Sequence, residues 1–213
     1  MSAVFIHAQW RTGSTYVFSK FRARSDSYFC YYEPIHETVM RAADEPNILL
    51  LAGAETCRSL RHPSLGAPYF QELYLTHEAW RQSVYKALVF EETFGDRNGG
   101  ARRFYEALVG AAQGIPLIQD CRSIFRLKSL GTEVPGLHIH LWRSPRAQYV
   151  SYNISNYFHA ATRLQITGDN PPAWARALAE RFNFPTVRYE SVDQEISAQQ
   201  KFLIHVDAEY FVF

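Results

Sequence analysis

The sequence predicts an α/β fold with a central parallel sheet, carried by one domain that spans residues 1–213. Short apolar and aromatic runs of strand length recur along the chain, and stretches of helical character separate them, which is the order of a parallel sheet. A chain of 213 residues with 47% hydrophobic side chains is also long enough to bury a substantial core. The four clearest strand candidates are residues 4–6, Tyr28–Tyr32, Ile115–Asp120 and residues 138–142.

Composition and charge narrow the class of protein. The net charge is +1, from 22 basic and 21 acidic residues, and no basic stripe argues for a nucleic-acid partner. No apolar run approaches the ~20 residues that cross a bilayer, and no charged and apolar leader opens the chain. The three cysteines, Cys30, Cys57 and Cys121, are too far apart for a CxxC pair, so we expect thiols in a reducing compartment. These features predict a soluble, cytoplasmic protein and leave its oligomeric state open.

A phosphate- or sulfate-binding loop is predicted after the first strand. The chain passes from the apolar residues 4–6 through a polar turn into a stretch of helical character, and backbone N–H groups at such a helix start point at an anion. Gly13 allows a positive φ, and Arg11 brings a permanent cation that can hold a phosphate or sulfate with two parallel bonds. An ordinary N-capped turn is the alternative. The predicted anion ligands are Arg11, Thr12, Gly13, Ser14 and Thr15.

A candidate general base follows the second strand. Glu33 comes directly after Tyr28–Tyr32, and Pro34 is expected to open a helix. Ligands bind at the carboxyl edge of a parallel sheet, so we expect this carboxylate beside the predicted anion loop. His36 and Glu37 share these surroundings and remain alternative bases. A solvated carboxylate near a helix N-terminus is the structural alternative for Glu33.

The middle of the chain predicts an acceptor pocket or a lid. Residues 38–83 have a mixed, mostly helical pattern that proline and glycine interrupt. The loop at residues 62–70 holds apolar and aromatic side chains, as acceptor pockets and lids often do. Tyr69, Phe70 and Tyr74 would suit stacking on a sugar or on an aromatic ring, and plain packing is the alternative for each of them.

The next elements keep a second class of protein open. Residues 86–90 are expected to form a short strand, and residues 101–113 an amphipathic helix. Ile115–Asp120 resembles a Walker B strand that ends in an acid, so a nucleotide hydrolase with Mg²⁺ on Asp120 is an alternative. Residues 127–130 continue as a short helix.

A second pair of anion ligands is predicted late in the chain. Arg143 stands at the carboxyl end of the strand at residues 138–142, Pro145 opens a helix, and Ser151 lies about two turns in. A guanidinium and a hydroxyl within reach of one anion is what a phosphate monoester needs. A helix-capping arginine and a surface serine are the alternative. The remaining predicted elements are a loop and helix over residues 163–179, a strand at 186–190 and a helix at 192–203.

Together these stretches resemble the PAPS-dependent sulfotransferases, whose donor is 3′-phosphoadenosine 5′-phosphosulfate (PAPS). Residues 11–15 match the family's 5′-phosphosulfate loop, and Arg143 and Ser151, eight apart, match its 3′-phosphate ligands. Residues 32–34 and the VRYE-type strand at 186–190 add to a match that covers most of the chain and is closer to the bacterial and carbohydrate-type branch. The resemblance implies a three-layer α/β fold with a P-loop-like strand–loop–helix. It also implies metal-free transfer to a hydroxyl or amine of a small-molecule, lipid or carbohydrate acceptor.

The resemblance also implies roles for particular residues. Glu33 or His36 takes the acceptor proton, and Arg11 neutralises charge on the transferred group. The chain departs from the family where Arg11 replaces a common Lys, and where no counterpart of a later Arg-Lys-Gly loop precedes Phe213. A P-loop kinase or hydrolase is an alternative, although Ser14 fills the position of the Walker lysine. A catalytically degenerate nucleotide-binding relative is the other alternative.

Overall fold

Four parallel strands form the centre of the computed structural model, which describes residues 2–51, 60–89, 99–155, 157–158, 171, 173–181 and 183. The strands are β1 (Ala3–Ala8), β2 (Tyr28–Tyr32), β3 (Ile115–Asp120) and β4 (Gly136–Leu141). They form one sheet in the order β2-β3-β1-β4, and every neighbouring pair is parallel. The predicted α/β class with a parallel sheet is confirmed, and the number of layers stays a prediction.

Helices alternate with these strands along the chain. The helices of the described residues are α1 (Ser14–Arg22), α2 (Glu37–Ala42), α3 (Ile48–Leu51), α4 (Gln71–Leu75), α5 (His77–Trp80), α6 (Lys86–Val89), α7 (Gly100–Ala111), α8 (Leu127–Glu133), α9 (Pro145–Tyr152) and α10 (Ala173–Arg181). A 3₁₀ turn, Ile124–Arg126, precedes α8. Within this part of the chain, no helix has the length and apolar character needed to cross a membrane.

The inner strands carry the core. β1 and β3 are buried along nearly their whole length, as expected for inner strands of a parallel sheet with both faces covered. Phe5 and Ile6 on β1 are each 1% exposed, and Leu117 on β3 is fully buried. β4 lies at one edge of the described sheet and is more open, with Leu137 57% exposed. The strand segments are therefore apolar in sequence because the inner strands are buried.

The register of the sheet brings three chain segments to one edge. His7 on β1 lies opposite Asp120 on β3, and Tyr32 on β2 lies opposite Gln119. The N–H of Glu33 extends the β2–β3 pairing by donating to the Gln119 carbonyl at 2.7 Å. Because the strands are parallel, the segments that follow β1, β2 and β3 all begin at this carboxyl edge.

One predicted strand is a helix in the structure. Residues 86–90 were predicted as a strand, but Lys86–Val89 is the single-turn helix α6. The N–H of Leu88 bonds to the Tyr85 carbonyl at 3.1 Å, and both Leu88 and Val89 are fully buried. A short apolar run has the same hydrophobic pattern in a buried helix as in a buried strand, so periodicity does not separate the two.

The second helix begins later than predicted. Pro34 was expected to open it, but α2 begins at Glu37 and His36 is its N-cap. The His36 Nδ1 accepts a hydrogen bond from the Thr38 N–H at 3.1 Å, which satisfies one of the unpaired donors of the helix start. A side-chain acceptor just before Glu37 therefore sets the boundary, and Pro34 belongs to the turn that precedes it.

Other boundaries agree more closely. β2 and β3 have the predicted bounds, and α9 opens at Pro145 as predicted. α7 ends at Ala111 rather than at residue 113, and α8 continues to Glu133. The predicted strand at 186–190, the predicted helix at 192–203 and Cys57 lie outside the described residues.

Candidate functional site

The loop between β1 and α1 has backbone N–H groups that find no acceptor in the described part of the chain. Gly13 is the N-cap of α1 and has a φ of 96°, the left-handed conformation that was predicted for it. A Cβ at this position would meet no atom within 4 Å, so backbone conformation and not space favours glycine. Among the residues that the structure describes, the N–H groups of Gly13, Ser14 and Thr15 donate to no acceptor. Unpaired N–H groups at the start of a helix favour a bound anion.

The side-chain hydroxyls of this loop bond within the protein. Thr12 Oγ1 donates to a carbonyl of the same loop at 2.8 Å. Ser14 Oγ lies 3.6 Å from Cys121 Sγ, and Thr15 Oγ1 lies 2.8 Å from Tyr32 Oη. The hydroxyls therefore tie the loop to the segments around β2 and β3, and the backbone N–H groups are the donors left for a ligand.

Arg11 has only neutral partners among the described residues. Its Nε donates to Ser151 Oγ at 2.9 Å, and its Nη1 lies 3.0 Å from the Leu60 carbonyl and 3.1 Å from His62 Nε2. Burial and the nearby Arg11 lower the pKa of His62 to about 4, so His62 is neutral. The guanidinium carbon lies 5.5 Å from the centroid of the Phe158 ring. These contacts position the guanidinium without compensating its charge, which leaves it available to an anion.

Arg143 and Ser151 converge on Arg11. Arg143 Nη1 donates to the Arg11 carbonyl at 3.2 Å, and Ser151 accepts from the Arg11 side chain. Burial lowers the pKa of Arg11, and Arg143 and Arg61 lower it further. Arginine keeps its charge even so, which means that several cations share a small region without an acidic partner in the described part of the chain.

A cavity of about 290 Å³ opens beside this loop. Arg11, Ser14 and Thr15 line it from the segment after β1, and Glu33 and His36 line it from the segment after β2. The structure thus brings five of the predicted site residues to one space. The other predicted ligands, Thr12, Gly13, Arg143 and Ser151, lie next to these residues without lining the cavity.

Glu33 supplies the carboxyl group of the cavity wall. Burial raises the pKa of Glu33 to about 7, and Asp120 raises it while Cys121 and Arg122 oppose the shift. A general base works best when its pKa lies near the pH of the reaction. The carboxyl group is therefore suited to accept a proton at neutral pH, as the sequence suggested for this residue.

His36 is a weaker candidate for the base. Its Nδ1 accepts the Thr38 N–H, so a neutral ring carries its proton on Nε2, which lies 3.3 Å from Tyr157 Oη. Burial lowers the pKa of His36, which keeps the ring neutral. Both ring nitrogens are bonded within the protein, so the geometry favours Glu33 over His36 as the proton acceptor.

Glu37, the third candidate base, belongs to a partly buried ion pair. It bonds directly to Arg122, and Tyr157 Oη accepts from Arg122 at 3.0 Å and donates to Glu37 Oε1 at 3.1 Å. Although burial raises it, Arg122 and His36 bring the pKa of Glu37 down to about 2. Glu37 is thus held in its charged form by Arg122, and it is a poor proton acceptor.

Backbone strain gathers around the cavity. Positive φ values of 65°, 36° and 54° occur at Arg11, Glu33 and Arg61. Arg11 and Glu33 line the cavity, and Arg61 lies between two residues that line it, Leu60 and His62. In the described part of the chain, Asn183 is the other residue besides glycine with positive φ. Each such residue costs about 1–3 kcal/mol and persists where the surroundings enforce it, commonly at ligand sites.

Asp120, the magnesium ligand of the alternative function, is engaged by the protein. Its Oδ2 accepts from the Ile35 N–H at 3.2 Å and from Tyr105 Oη at 2.9 Å, and its Oδ1 accepts from the Arg122 N–H at 2.6 Å. The residue is 1% exposed. Its carboxylate therefore fixes the segments that follow β2 and β3, and it does not line the cavity.

Aromatic side chains form much of the remaining wall. Tyr69 and Phe70, which the sequence suggested for an acceptor pocket, both line the cavity, whereas Tyr74 packs against the core instead. Other wall residues were not predicted, although two of them directly precede a predicted ligand along the chain. His62 belongs to the loop at residues 62–70 that was predicted to form an acceptor pocket or lid. The unpredicted residues are Trp10, Tyr32, Thr38, Leu60, Cys121, Ser155, Tyr157 and Phe158.

Fold and site together define a parallel α/β protein in which a half-buried carboxyl group and an arginine face one cavity, and this arginine has no acidic partner among the described residues. Comparisons with models of protein families, with curated protein sequences and with solved structures found no match. The function is therefore argued from the geometry of this cavity.

Proposed function

We propose that the protein is a sulfotransferase that moves a sulfuryl group from PAPS to the hydroxyl of a small acceptor. The observation that carries the proposal is the joint presence of Arg11 and Glu33 on one cavity wall. Arg11 has no acidic partner among the described residues, and the pKa of Glu33 is raised to about 7. An anionic donor needs the first group and removal of an acceptor proton needs the second.

The residues around α1 fit the anionic end of the donor. The unpaired N–H groups of Gly13, Ser14 and Thr15, together with the Arg11 guanidinium, would hold the 5′-phosphosulfate, so the strand–loop–helix would act as a P-loop-like site. Arg143, exposed and bonded to the Arg11 carbonyl, would hold the 3′-phosphate with Ser151. PAPS supplies an activated sulfuryl group whose leaving group is 3′,5′-adenosine bisphosphate.

Glu33 and Arg11 have separate tasks in the proposed reaction. The Glu33 carboxylate accepts the proton of the acceptor hydroxyl while the acceptor oxygen bonds to sulfur and the bond from sulfur to the bridging oxygen breaks. Arg11 and the loop N–H groups stabilise the negative charge that moves to the leaving phosphate oxygen. The ion pair of Arg122 and Glu37 holds the segments beside Glu33 in place.

The alternative phosphotransferase has less support. A P-loop kinase needs a carboxylate for Mg²⁺, and both carboxylate oxygens of Asp120 accept hydrogen bonds from the protein. A degenerate relative would bind the nucleotide without turnover. The reducing, cytoplasmic setting that we propose is supported by the free thiols of Cys30 and Cys121.

Thermal unfolding with nucleotides tests the donor class. We expect 3′,5′-adenosine bisphosphate to raise the melting temperature by several degrees, because a ligand at a hundred times its dissociation constant adds about 2.7 kcal/mol. ADP with Mg²⁺ should give little shift, since it lacks a 3′-phosphate. Stabilisation by ADP with Mg²⁺ alone would move the function to phosphoryl transfer, and no shift with either nucleotide would contradict the proposed donor.

A further inference from the structure

The hydrogen-bonding groups of the cavity wall are largely bonded to one another. Tyr32 Oη pairs with Thr15 Oγ1 at 2.8 Å, and Tyr69 Oη pairs with His62 Nδ1 at 2.7 Å. Tyr157 Oη donates to Glu37 at 3.1 Å within the partly buried ion-pair network. The three tyrosine hydroxyls of the wall are therefore already engaged by neighbouring side chains.

The rings of the wall are packed into two aromatic groups. Tyr32 and Tyr69 have ring centroids 4.8 Å apart, and Phe70 lies 6.3 Å from each of them. Phe158 lies 6.3 Å from Trp10 and 5.6 Å from Tyr157. These rings line the cavity, and a flat aromatic ligand gains from stacking on a ring or meeting its edge.

We propose that the acceptor of this cavity is a phenol, a flat aromatic ring with a single hydroxyl, and not a sugar. This inference rests on the proposed function, because it assigns the second substrate of the same site. A sugar ring carries several hydroxyls, and each one buried without a partner opposes binding. A phenol presents one hydroxyl, which Glu33 can accept from, and places the rest of its surface against aromatic rings.

The acid–base chemistry of Glu33 fits the same acceptor. A phenol of the tyrosine type ionises at about pH 10, and an aliphatic hydroxyl holds its proton far more tightly. Burial raises the pKa of Glu33 to about 7, so it is a moderate base. Proton transfer to such a carboxylate is less uphill from a phenol than from a sugar hydroxyl.

Direct binding of three small probes to the full chain tests the assignment. The probes are 4-methylphenol, cyclohexanol and methyl β-D-glucopyranoside, titrated with and without saturating 3′,5′-adenosine bisphosphate and followed by ligand-observed NMR. We expect 4-methylphenol to bind at least about tenfold more tightly than the glucoside, with cyclohexanol between them. Equal or tighter binding of the glucoside would overturn the inference.

A matched pair of variants locates the ring contacts. Phe70→Leu removes a ring from the cavity wall. Phe104→Leu removes a buried ring of α7 that packs against Trp80 and does not line the cavity. Phe70→Leu should weaken binding of 4-methylphenol by about fivefold, which corresponds to the free energy of one aromatic pair, and should leave the bisphosphate affinity unchanged. Phe104→Leu should alter neither affinity. Unchanged phenol binding in Phe70→Leu would contradict stacking at this wall, and thermal melts show that both variants are folded.

The two proposals fail in different ways in this experiment. Binding of the bisphosphate without any phenol binding would overturn the acceptor class and keep the sulfotransferase proposal. Binding of the phenol without any bisphosphate binding would overturn the proposed donor and keep the preference of the cavity for a flat ring.

Discussion

The segments that follow β1 and β3 each present one arginine, and the structure surrounds them differently. Arg122 bonds to the Glu37 carboxylate and to Tyr157, and it is 2% exposed. Arg11 bonds to a hydroxyl, a carbonyl and a neutral histidine, and it lines the cavity. Arg11 is half-buried and has no acidic partner among the described residues, so we expect an anionic ligand to supply the opposite charge.

The two glutamates nearby repeat the same difference. Glu37 is paired with Arg122, which with His36 brings the pKa of Glu37 to about 2 against the effect of burial. Glu33 faces the cavity, and burial raises its pKa to about 7. Paired charges thus hold the segments in place, whereas the charges left over at the cavity are suited to chemistry.

Removal of the Glu33 carboxyl group should have the largest effect, and the effect should be on turnover. Glu33→Gln should lower turnover by about 10²–10⁴-fold, the usual contribution of a general base, because the amide cannot accept the proton. Bisphosphate affinity should stay close to that of the wild type, which calorimetry checks. Turnover at the wild-type rate would refute the role of Glu33.

Removal of the Glu37 carboxylate, which pairs with Arg122, should lower the free energy of unfolding. Glu37→Gln leaves Arg122 buried without its carboxylate, and the loss of one partner of a buried pair costs about 3–5 kcal/mol of the free energy of unfolding. Urea denaturation measures the change. The control is Glu78→Gln, whose side chain is 81% exposed beside Arg81 and which should leave the midpoint unchanged. An equal effect of the two changes would show that the Arg122–Glu37 pair has no special weight.

Loss of the Arg143 side chain should weaken only the binding of the donor nucleotide. Arg143→Ala should lower bisphosphate affinity by about 2 kcal/mol, because a charge-assisted bond to the 3′-phosphate is lost. Arg102→Ala removes an exposed charge on α7 and is the control for net charge. Equal affinity in the two variants would place the 3′-phosphate elsewhere.

The pH profile of turnover sharpens the contrast between the glutamates. The base must be deprotonated, so turnover should rise with pH to a plateau above about pH 7, the pKa to which Glu33 is raised. Below that pH the rate should fall by about tenfold per unit. If the variant Glu33→Gln shows the same fall in rate below about pH 7, the titrating group is another one, such as His36.

Local signals in the sequence were enough to predict the sheet and about half of the residues that line the cavity. β2 and β3 are runs of apolar and aromatic residues with clear boundaries, and Gly13 takes the positive φ that only glycine adopts easily. Arg11 and Glu33 were predicted because each comes soon after a predicted strand, where parallel topology places ligand groups.

What the sequence did not predict depends on distant pairing. Glu37 is paired because Arg122, 85 positions away, is brought beside it by the β2–β3 register. His36 is the weaker candidate base because its Nδ1 caps α2, which begins after Pro34 and not at it. Short-range patterns do not encode such contacts, so three candidate bases could not be separated from the sequence alone.

Calorimetric titration of 3′,5′-adenosine bisphosphate into the wild type and Arg11→Met measures what the Arg11 charge contributes to binding of an anionic donor. Methionine keeps most of the apolar length of arginine and removes the charge. We expect the wild type to bind and the variant to lose about 2 kcal/mol of binding free energy, roughly thirtyfold in affinity. Equal affinities, or no binding by either protein, would contradict the claim that the unpaired charge at the cavity serves an anionic donor.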